Sequence, residues 1–155
     1  MKSLLTLILI SSTLFQIPSV QSGVSARNEA AVEEAVVSFF NAMRDADSST
    51  MEDYLATDAT LHTMTLSEEG IPMLRQTDIE AFKSSVKGSA PGSLDEQLTS
   101  FTVHVDGNLS TAWMDYRFYF NGEFSHCGVN TMNLIQTGAG WKIFSIVDTR
   151  RNKAC

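Results

Sequence analysis

The sequence is short of basic residues. Its 155 residues contain 11 Lys and Arg against 18 Asp and Glu, which gives a formal net charge of −7. No basic run interrupts this acidic composition. A chain of this kind is a poor partner for nucleic acids or anionic membranes, so we predict neither as a partner. The length is typical of a single domain.

The chain also lacks an apolar run of the roughly 20 residues that a membrane span requires. It begins instead with a basic Lys2 and a short apolar run from Leu4 to Ile10, followed by small residues. This is the pattern of a cleaved signal peptide. We predict a signal peptide over residues 1–22, with cleavage after residue 26 as the alternative, and one domain over residues 27–155. The mature chain is expected to be secreted or periplasmic and not attached to a membrane.

Cysteine is scarce, because Cys127 and Cys155 are the only two. In the oxidising compartment that a signal peptide implies, such a pair most simply forms a disulfide. Closing a loop of this length is expected to stabilise the fold by about 3–4 kcal/mol. A catalytic thiol is the alternative, and it fits an exported chain less well.

Several catalytic and cofactor motifs are missing. The sequence has no glycine-rich phosphate loop and no His-Glu-x-x-His pair, and its serines lack the context of a nucleophile elbow. The three histidines, His62, His104 and His126, fall on three separate predicted strands, a spacing that does not favour a zinc site. We therefore predict no cofactor and no metal.

Helical periodicity is present in the first part of the domain. A helix is predicted from Arg27 to Ala46, because its apolar residues repeat every three or four positions. These residues are Val32, Val36, Phe39, Phe40 and Met43. Capping-box patterns at Ser49–Glu52 and Thr77–Glu80 predict two further helices.

Alternating apolar and polar residues predict strands in the rest of the chain. Two short strands are expected at residues 60–64 and 71–74. Four longer ones should follow, at Gln97–Val105, Thr111–Phe120, Phe124–Gln136 and Trp141–Arg150. This order predicts an α+β fold in which a cone-shaped, curved antiparallel sheet packs on the N-terminal helices and leaves a pocket between the two layers.

The chain resembles the nuclear transport factor 2-like superfamily, which includes ketosteroid isomerases, scytalone dehydratase and SnoaL-like polyketide cyclases. The nearer resemblance is to its small exported members, including a lumazine-binding group. The residues that carry the resemblance are Trp113, Tyr116, Phe118, Tyr119, Gly122, His126–Gly128, Gly140–Ile143, Asp148–Arg151 and Cys155. The resemblance implies the cone-shaped fold, and it implies a homodimer, because relatives commonly pair through the open sheet face. It does not imply one function, since this fold serves enzymes and binding proteins alike.

The Asn121-Gly122 turn predicts which side chains face the pocket. A two-residue turn pairs Tyr119 with Phe124, Arg117 with His126, Asp115 with Gly128 and Trp113 with Asn130, and places all eight on one face. The opposite face is at least as apolar and is kept as the alternative. It carries Met114, Tyr116, Phe118, Val129, Ile146 and Asp148. A bulge in the curved sheet would exchange the two faces locally.

The first face supplies most of the candidate site residues, and the first short strand adds His62. The catalytic candidates are His126, Asp115 and His62, because a histidine titrating near neutrality is the usual proton carrier in proteins. The ligand-binding candidates are Trp113, Arg117, Tyr119 and Asn130. Simpler interpretations stay open: Asp115 and Arg117 as a solvated ion pair, His62 as a surface histidine, and Asp148 as a partner of Arg150 or of the C-terminal tail.

Two functions compete. The aromatic and aliphatic lining, with few ionisable groups, favours an exported domain that binds a small, partly apolar molecule. The alternative is a cofactor-free acid–base isomerase, dehydratase or cyclase that uses His126 with Asp115 or His62. The catalytic residues of ketosteroid isomerases and of scytalone dehydratase cannot be matched to this sequence position by position.

Overall fold

The fold is that of a computed structural model that describes residues 20–151, Lys153 and Cys155. Within these residues, three helices and seven strands follow one another. They are α1 (Val20–Arg44), α2 (Ser48–Glu52), β1 (Leu55–Leu66), β2 (Pro72–Thr77), α3 (Ile79–Lys87), β3 (Leu94–Leu98), β4 (Thr102–Asp106), β5 (Leu109–Phe120), β6 (Glu123–Thr137) and β7 (Gly140–Thr149). The predicted signal segment lies almost entirely outside the described residues. No described helix is long and apolar enough to cross a membrane.

The helices form where apolar spacing and capping residues favour them. The predicted face of α1 is buried in the core, with Val32, Val36 and Phe39 almost completely enclosed. The caps lie one or two residues away from the predicted positions. Asp47 caps α2, and Asp78 caps α3 by accepting a hydrogen bond from the backbone N–H of Ala81 at 2.8 Å. An aspartate carboxylate is a good N-cap acceptor, and in each case it displaces the hydroxyl that the capping-box pattern indicated.

The seven strands form one sheet with the order β2-β1-β7-β6-β5-β3, and β4 pairs with the other half of β5. The α+β prediction with N-terminal helices is confirmed. The fully antiparallel sheet is not, because β1 runs parallel to β7 and the sheet is therefore mixed. The helix α3 packs with β1 and α2, while α1 packs across the strands on the same side of the sheet.

The predicted strand Gln97–Val105 is two strands, β3 and β4, which share β5 as their neighbour. The break between them is held by Asp115 of β5. Its carboxylate accepts a hydrogen bond from the Ser100 hydroxyl at 2.7 Å, and its backbone carbonyl accepts one from the N–H of Thr99 at 2.8 Å. The polar residues Thr99 and Ser100 thus interrupt an otherwise alternating pattern.

Two bulges shape the centre of the sheet. On β6, Ser125 has no partner on β5, so Tyr119 pairs with Phe124 but Phe118 pairs with His126. On β7, Phe144 is the extra residue opposite Asn133 and Leu134. Each bulge shifts the side-chain alternation by one residue. The predicted pairing is therefore right at Tyr119 and wrong from Phe118 inward, where Arg117 pairs with Cys127 and Asp115 with Val129.

The end of β7 is fastened to β6. The predicted disulfide between Cys127 and Cys155 is present, and Cys127 also exchanges two backbone hydrogen bonds with Arg151, of 2.7 and 2.8 Å. Next to it, a Cβ atom on Gly128 would lie 1.8 Å from the carbonyl oxygen of Thr149. Only glycine lets the backbones of β6 and β7 approach this closely.

Candidate functional site

A cavity of about 200 Å³ lies between the helices and the inner face of the sheet. The helices α1 and α3 contribute Phe39, Phe40, Met43, Phe82, Ser85 and Val86. The strands contribute Leu61, Thr77, Leu94, Glu96, Tyr116, Phe118, His126, Asn130, Met132, Ile146 and Asp148, and Arg150 follows directly after β7. The helix side is apolar apart from Ser85, so the charged groups of the cavity come from the sheet and from Arg150 at the end of its last strand. A mostly apolar hollow with a few convergent polar groups is the usual form of a ligand site.

The centre of the polar group is Asp148 on β7, which is 6% exposed. One carboxylate oxygen accepts a hydrogen bond from the Thr63 hydroxyl at 2.5 Å, and the other accepts one from Arg150 Nε at 2.8 Å. The Arg150 guanidinium also reaches the Thr63 hydroxyl at 3.4 Å. Asp148 therefore carries a paired charge, with a partner on each of its oxygens. Its expected partnership with Arg150 is confirmed.

Tyr116 on β5 is buried beside this pair. Its single hydroxyl proton is best placed for the backbone carbonyl of Thr149 at 2.9 Å, because the Asp148 carboxylate is farther away at 3.4 Å. Burial, and then the negative charges of Asp148 and Glu96, raise the pKa of Tyr116 above its ordinary value. Tyr116 thus remains a neutral phenol that braces the end of β7.

Glu96 on β3 is the second acidic group of the cavity, and it differs from Asp148 in how it is satisfied. Its Oε1 accepts a hydrogen bond from the side-chain amide of Asn130 at 2.6 Å. No other described residue donates a hydrogen bond to its carboxylate, so Oε2 is left for a ligand or water. Desolvation raises the pKa of Glu96 from 4.5 to about 7, and the charge of Asp148 adds to this effect.

His126 on β6 lies among aromatic rings, with its ring centre 5.1 Å from that of Phe118 and 5.7 Å from that of Tyr116. Burial and the nearby positive charge of Arg150 lower the pKa of His126 below its ordinary value. The imidazole is therefore mainly neutral at pH 7. In that state it can donate one hydrogen bond and accept another, and the Ser125 hydroxyl already lies 3.0 Å from Nδ1.

The sequence-predicted site residues divide into two groups. His126 and Asn130 line the cavity. Asp115, Arg117 and Tyr119 instead line a second groove on the other side of the sheet, beside the Cys127–Cys155 disulfide. The structure therefore does not bring Asp115 and Arg117 together with His126 and Asn130, and the bulge at Ser125 is the physical reason.

Two further candidates also lie away from the cavity. Trp113 is 52% exposed and faces outward from β5 between the buried residues Ala112 and Met114. His62 is half-buried on β1 between Leu61, which lines the cavity, and Thr63, which bonds Asp148. Since side chains alternate along a strand, His62 faces away from the cavity.

Sequence reasoning missed Glu96 because the predicted strand began at Gln97. The signal for it was present. Leu94, Glu96 and Leu98 alternate on one face of β3, which places a carboxyl between two core-facing leucines. No group of three or more His, Cys, Asp or Glu side chains among the described residues could hold a metal ion.

Replacing Glu96 by Gln preserves an acceptor for Asn130 and removes the ionisable group. Since the folded pKa of about 7 lies above the ordinary 4.5, the carboxyl lowers the free energy of unfolding as the pH rises through this window. At about pH 8 the Glu96→Gln variant should be more stable than the wild type by about 2–3 kcal/mol, and at about pH 4 the two should be equal. Urea unfolding at both pH values measures this difference. The exposed Glu123→Gln variant is the matched control and should follow the wild type throughout; equal stability of Glu96→Gln and wild type at the higher pH would contradict the effect.

Comparison with known proteins agrees with this architecture. No curated protein matches the chain. A nuclear transport factor 2-like protein of unknown function from Shewanella baltica has a TM-score of 0.65 at 14% identity, over 83% of this chain and 97% of the other. A candidate dehydratase of the same family from Streptomyces avermitilis has a TM-score of 0.65 at 15% identity, over 83% and 99%. A Mycobacterium tuberculosis protein of unknown function reaches 0.67 at 10% identity, over 88% and 78%.

At such identities these three likenesses show the fold alone. The family is shown by the sequence itself, because residues 32–147 match the model of the SnoaL-like domain. That match runs from within α1 to within β7 and includes every residue of the cavity lining except Asp148 and Arg150. The chain belongs to the SnoaL-like domain family, and its fold is that of the nuclear transport factor 2-like proteins.

Proposed function

We propose that this protein binds a small, partly apolar molecule in the cavity between α1, α3 and the sheet. The observation that carries the proposal is the composition of the cavity wall. Phenylalanine and methionine side chains enclose a hollow of about 200 Å³, and a single carboxylate oxygen, Oε2 of Glu96, has no partner among the described residues. The apolar wall favours burial of a ligand, and the unpartnered oxygen favours one orientation of it.

A cavity-filling substitution tests this proposal. Leu61 on β1 lines the cavity, whereas Leu66 on the same strand is 66% exposed and lies away from it. A thermal-shift screen of small aromatic and alicyclic compounds should find ligands that raise the Tm of the wild type. The Leu61→Trp variant should weaken their binding by about tenfold or more, because the indole occupies the space that the ligand needs. The Leu66→Trp variant should bind like the wild type. Equal binding by both variants would place the ligands elsewhere.

Cofactor-free acid–base catalysis is the second candidate function, and Glu96 favours it. A carboxyl with a pKa of about 7 is suited to exchanging a proton at neutral pH, and His126 and Arg150 lie in the same cavity as hydrogen-bond donors. The fold relative named as a candidate dehydratase is consistent with such chemistry. If the wild type exchanges the α-protons of small ketones with deuterated solvent, Glu96→Gln should reduce the rate by about a hundredfold or more. An unchanged rate in Glu96→Gln would exclude Glu96 as the proton carrier.

We further propose that the chain is exported and acts as a homodimer that pairs through the outer face of its sheet. The signal-like N-terminal pattern, the disulfide and the resemblance to the exported lumazine-binding group support export. Exposed apolar side chains on the outer face, among them Trp113 and Ile135, support pairing. Light scattering at micromolar concentration should give twice the mass of the mature chain; a monomer mass would contradict the dimer.

A further inference from the structure

We propose that the ligand of this cavity is a small organic ammonium ion, whose positive head pairs with the Glu96 carboxylate while its apolar body lies among the phenylalanine rings. This inference rests on the binding function proposed above and names the chemical class of the ligand. It follows from the charges of the cavity and from the hydrogen bonds that are already made there.

The two acidic groups are not equivalent. Asp148 is neutralised by Arg150 at 2.8 Å, and both of its oxygens accept hydrogen bonds. Among the described residues, Glu96 accepts a hydrogen bond only from the neutral amide of Asn130, at 2.6 Å. When Glu96 is ionised, it is thus the one charged group in the cavity lining without an ion-pair partner. Glu96 is half-buried, and partial burial of an unpaired charge is costly. A cation brought by a ligand would remove that cost.

No other group around Glu96 supplies a free positive charge that could pair with its carboxylate. Asp148 of β7 forms a pair with Arg150, which directly follows β7. Tyr116 of β5 is a neutral phenol, and His126 of β6 has a lowered pKa. The parts of α1, α3, β1 and β2 that line the cavity carry no ionisable side chain. With Glu96 ionised, the lining therefore has a net charge of −1, which an anionic ligand would make worse and a monovalent cation would neutralise.

The apolar wall fits the rest of such a ligand. Phe39 and Phe82 stack with their ring centres 6.5 Å apart, and Phe118 contributes another ring from β5. Aromatic faces attract both ammonium groups and hydrocarbon. A ligand with one aromatic ring joined by a short aliphatic arm to an ammonium group would therefore be favoured at its ring and at its charged end. An amine of this size also matches a hollow of about 200 Å³.

Two probes of equal shape test the inference by isothermal titration calorimetry: 2-phenylethylamine, which is a cation, and 2-phenylethanol, which is neutral. At about pH 8 the amine should bind the wild type about tenfold or more tightly than the alcohol, because a charge-assisted hydrogen bond is stronger than a neutral one. The Glu96→Gln variant should lose this preference, and the exposed Glu123→Gln variant should keep it. Methylamine, which has no apolar body, should not bind measurably.

The pH dependence provides an independent readout. Glu96 is largely protonated one unit below its pKa of about 7 and largely ionised one unit above it. Between about pH 8 and about pH 6, the affinity for the amine should fall about tenfold, while the affinity for the alcohol should not fall. In the Glu96→Gln variant the affinity for the amine should show no such change.

The outcomes separate this inference from the proposed function. If the alcohol binds as tightly as the amine, or if Glu96→Gln keeps the preference for the amine, the ammonium inference is wrong. It is also wrong if neither probe binds. In each case, screening hits that Leu61→Trp weakens and Leu66→Trp does not would leave the binding function standing. A screen without such hits would overturn both.

Discussion

Two single-residue bulges determine what this sheet can hold. Ser125 on β6 and Phe144 on β7 each add one residue that the neighbouring strand does not match. As a result Tyr116, His126, Asn130 and Asp148, which come from three strands, all face the helices. Without the bulges, the strict alternation of side chains would send part of this group to the outer surface. The curvature that leaves space beneath α1 has the same origin, since bulges bend and twist a strand.

The two carboxyl groups at the polar end of the cavity, Asp148 and Glu96, differ in how they affect the stability of the fold. Asp148 is fully satisfied and joins β1 to β7 through Thr63, so its charge contributes to the structure. Glu96 has a hydrogen-bond partner on only one of its two carboxylate oxygens. Its raised pKa reflects the desolvation of the ionised carboxylate in the cavity. Glu96 is half-buried in a mostly apolar cavity wall, where a charge without a partner destabilises the fold. A carboxyl with a raised pKa in a mostly apolar cavity is the kind of exception that occurs at functional sites.

The sequence predicts the architecture better than the site, for a physical reason. Helices and strands follow from local periodicity, and the burial of Phe39 on α1 or the tight turn at Asn121 needs no knowledge of distant residues. The residues of β5 that share a face with His126 and Asn130 are set by one unpaired residue on β6, Ser125. The sequence around Ser125 contains no pattern that predicts this bulge. Glu96 could have been found from its two flanking leucines. The parallel pairing of β1 with β7 could not, because it joins segments that are far apart in the chain.

The pairing of β1 with β7 determines when the cavity forms during folding. The Thr63–Asp148 contact bridges 85 positions, and the wall of the hollow draws on both the first strand and the last. Contacts of such wide separation carry a large loop-closure entropy and tend to form late. A nascent polypeptide therefore has no enclosed hollow until β7 has docked, and a guest molecule can engage only the completed domain. A ligand bound in the cavity would therefore stabilise the helices and the sheet together, rather than any one element alone.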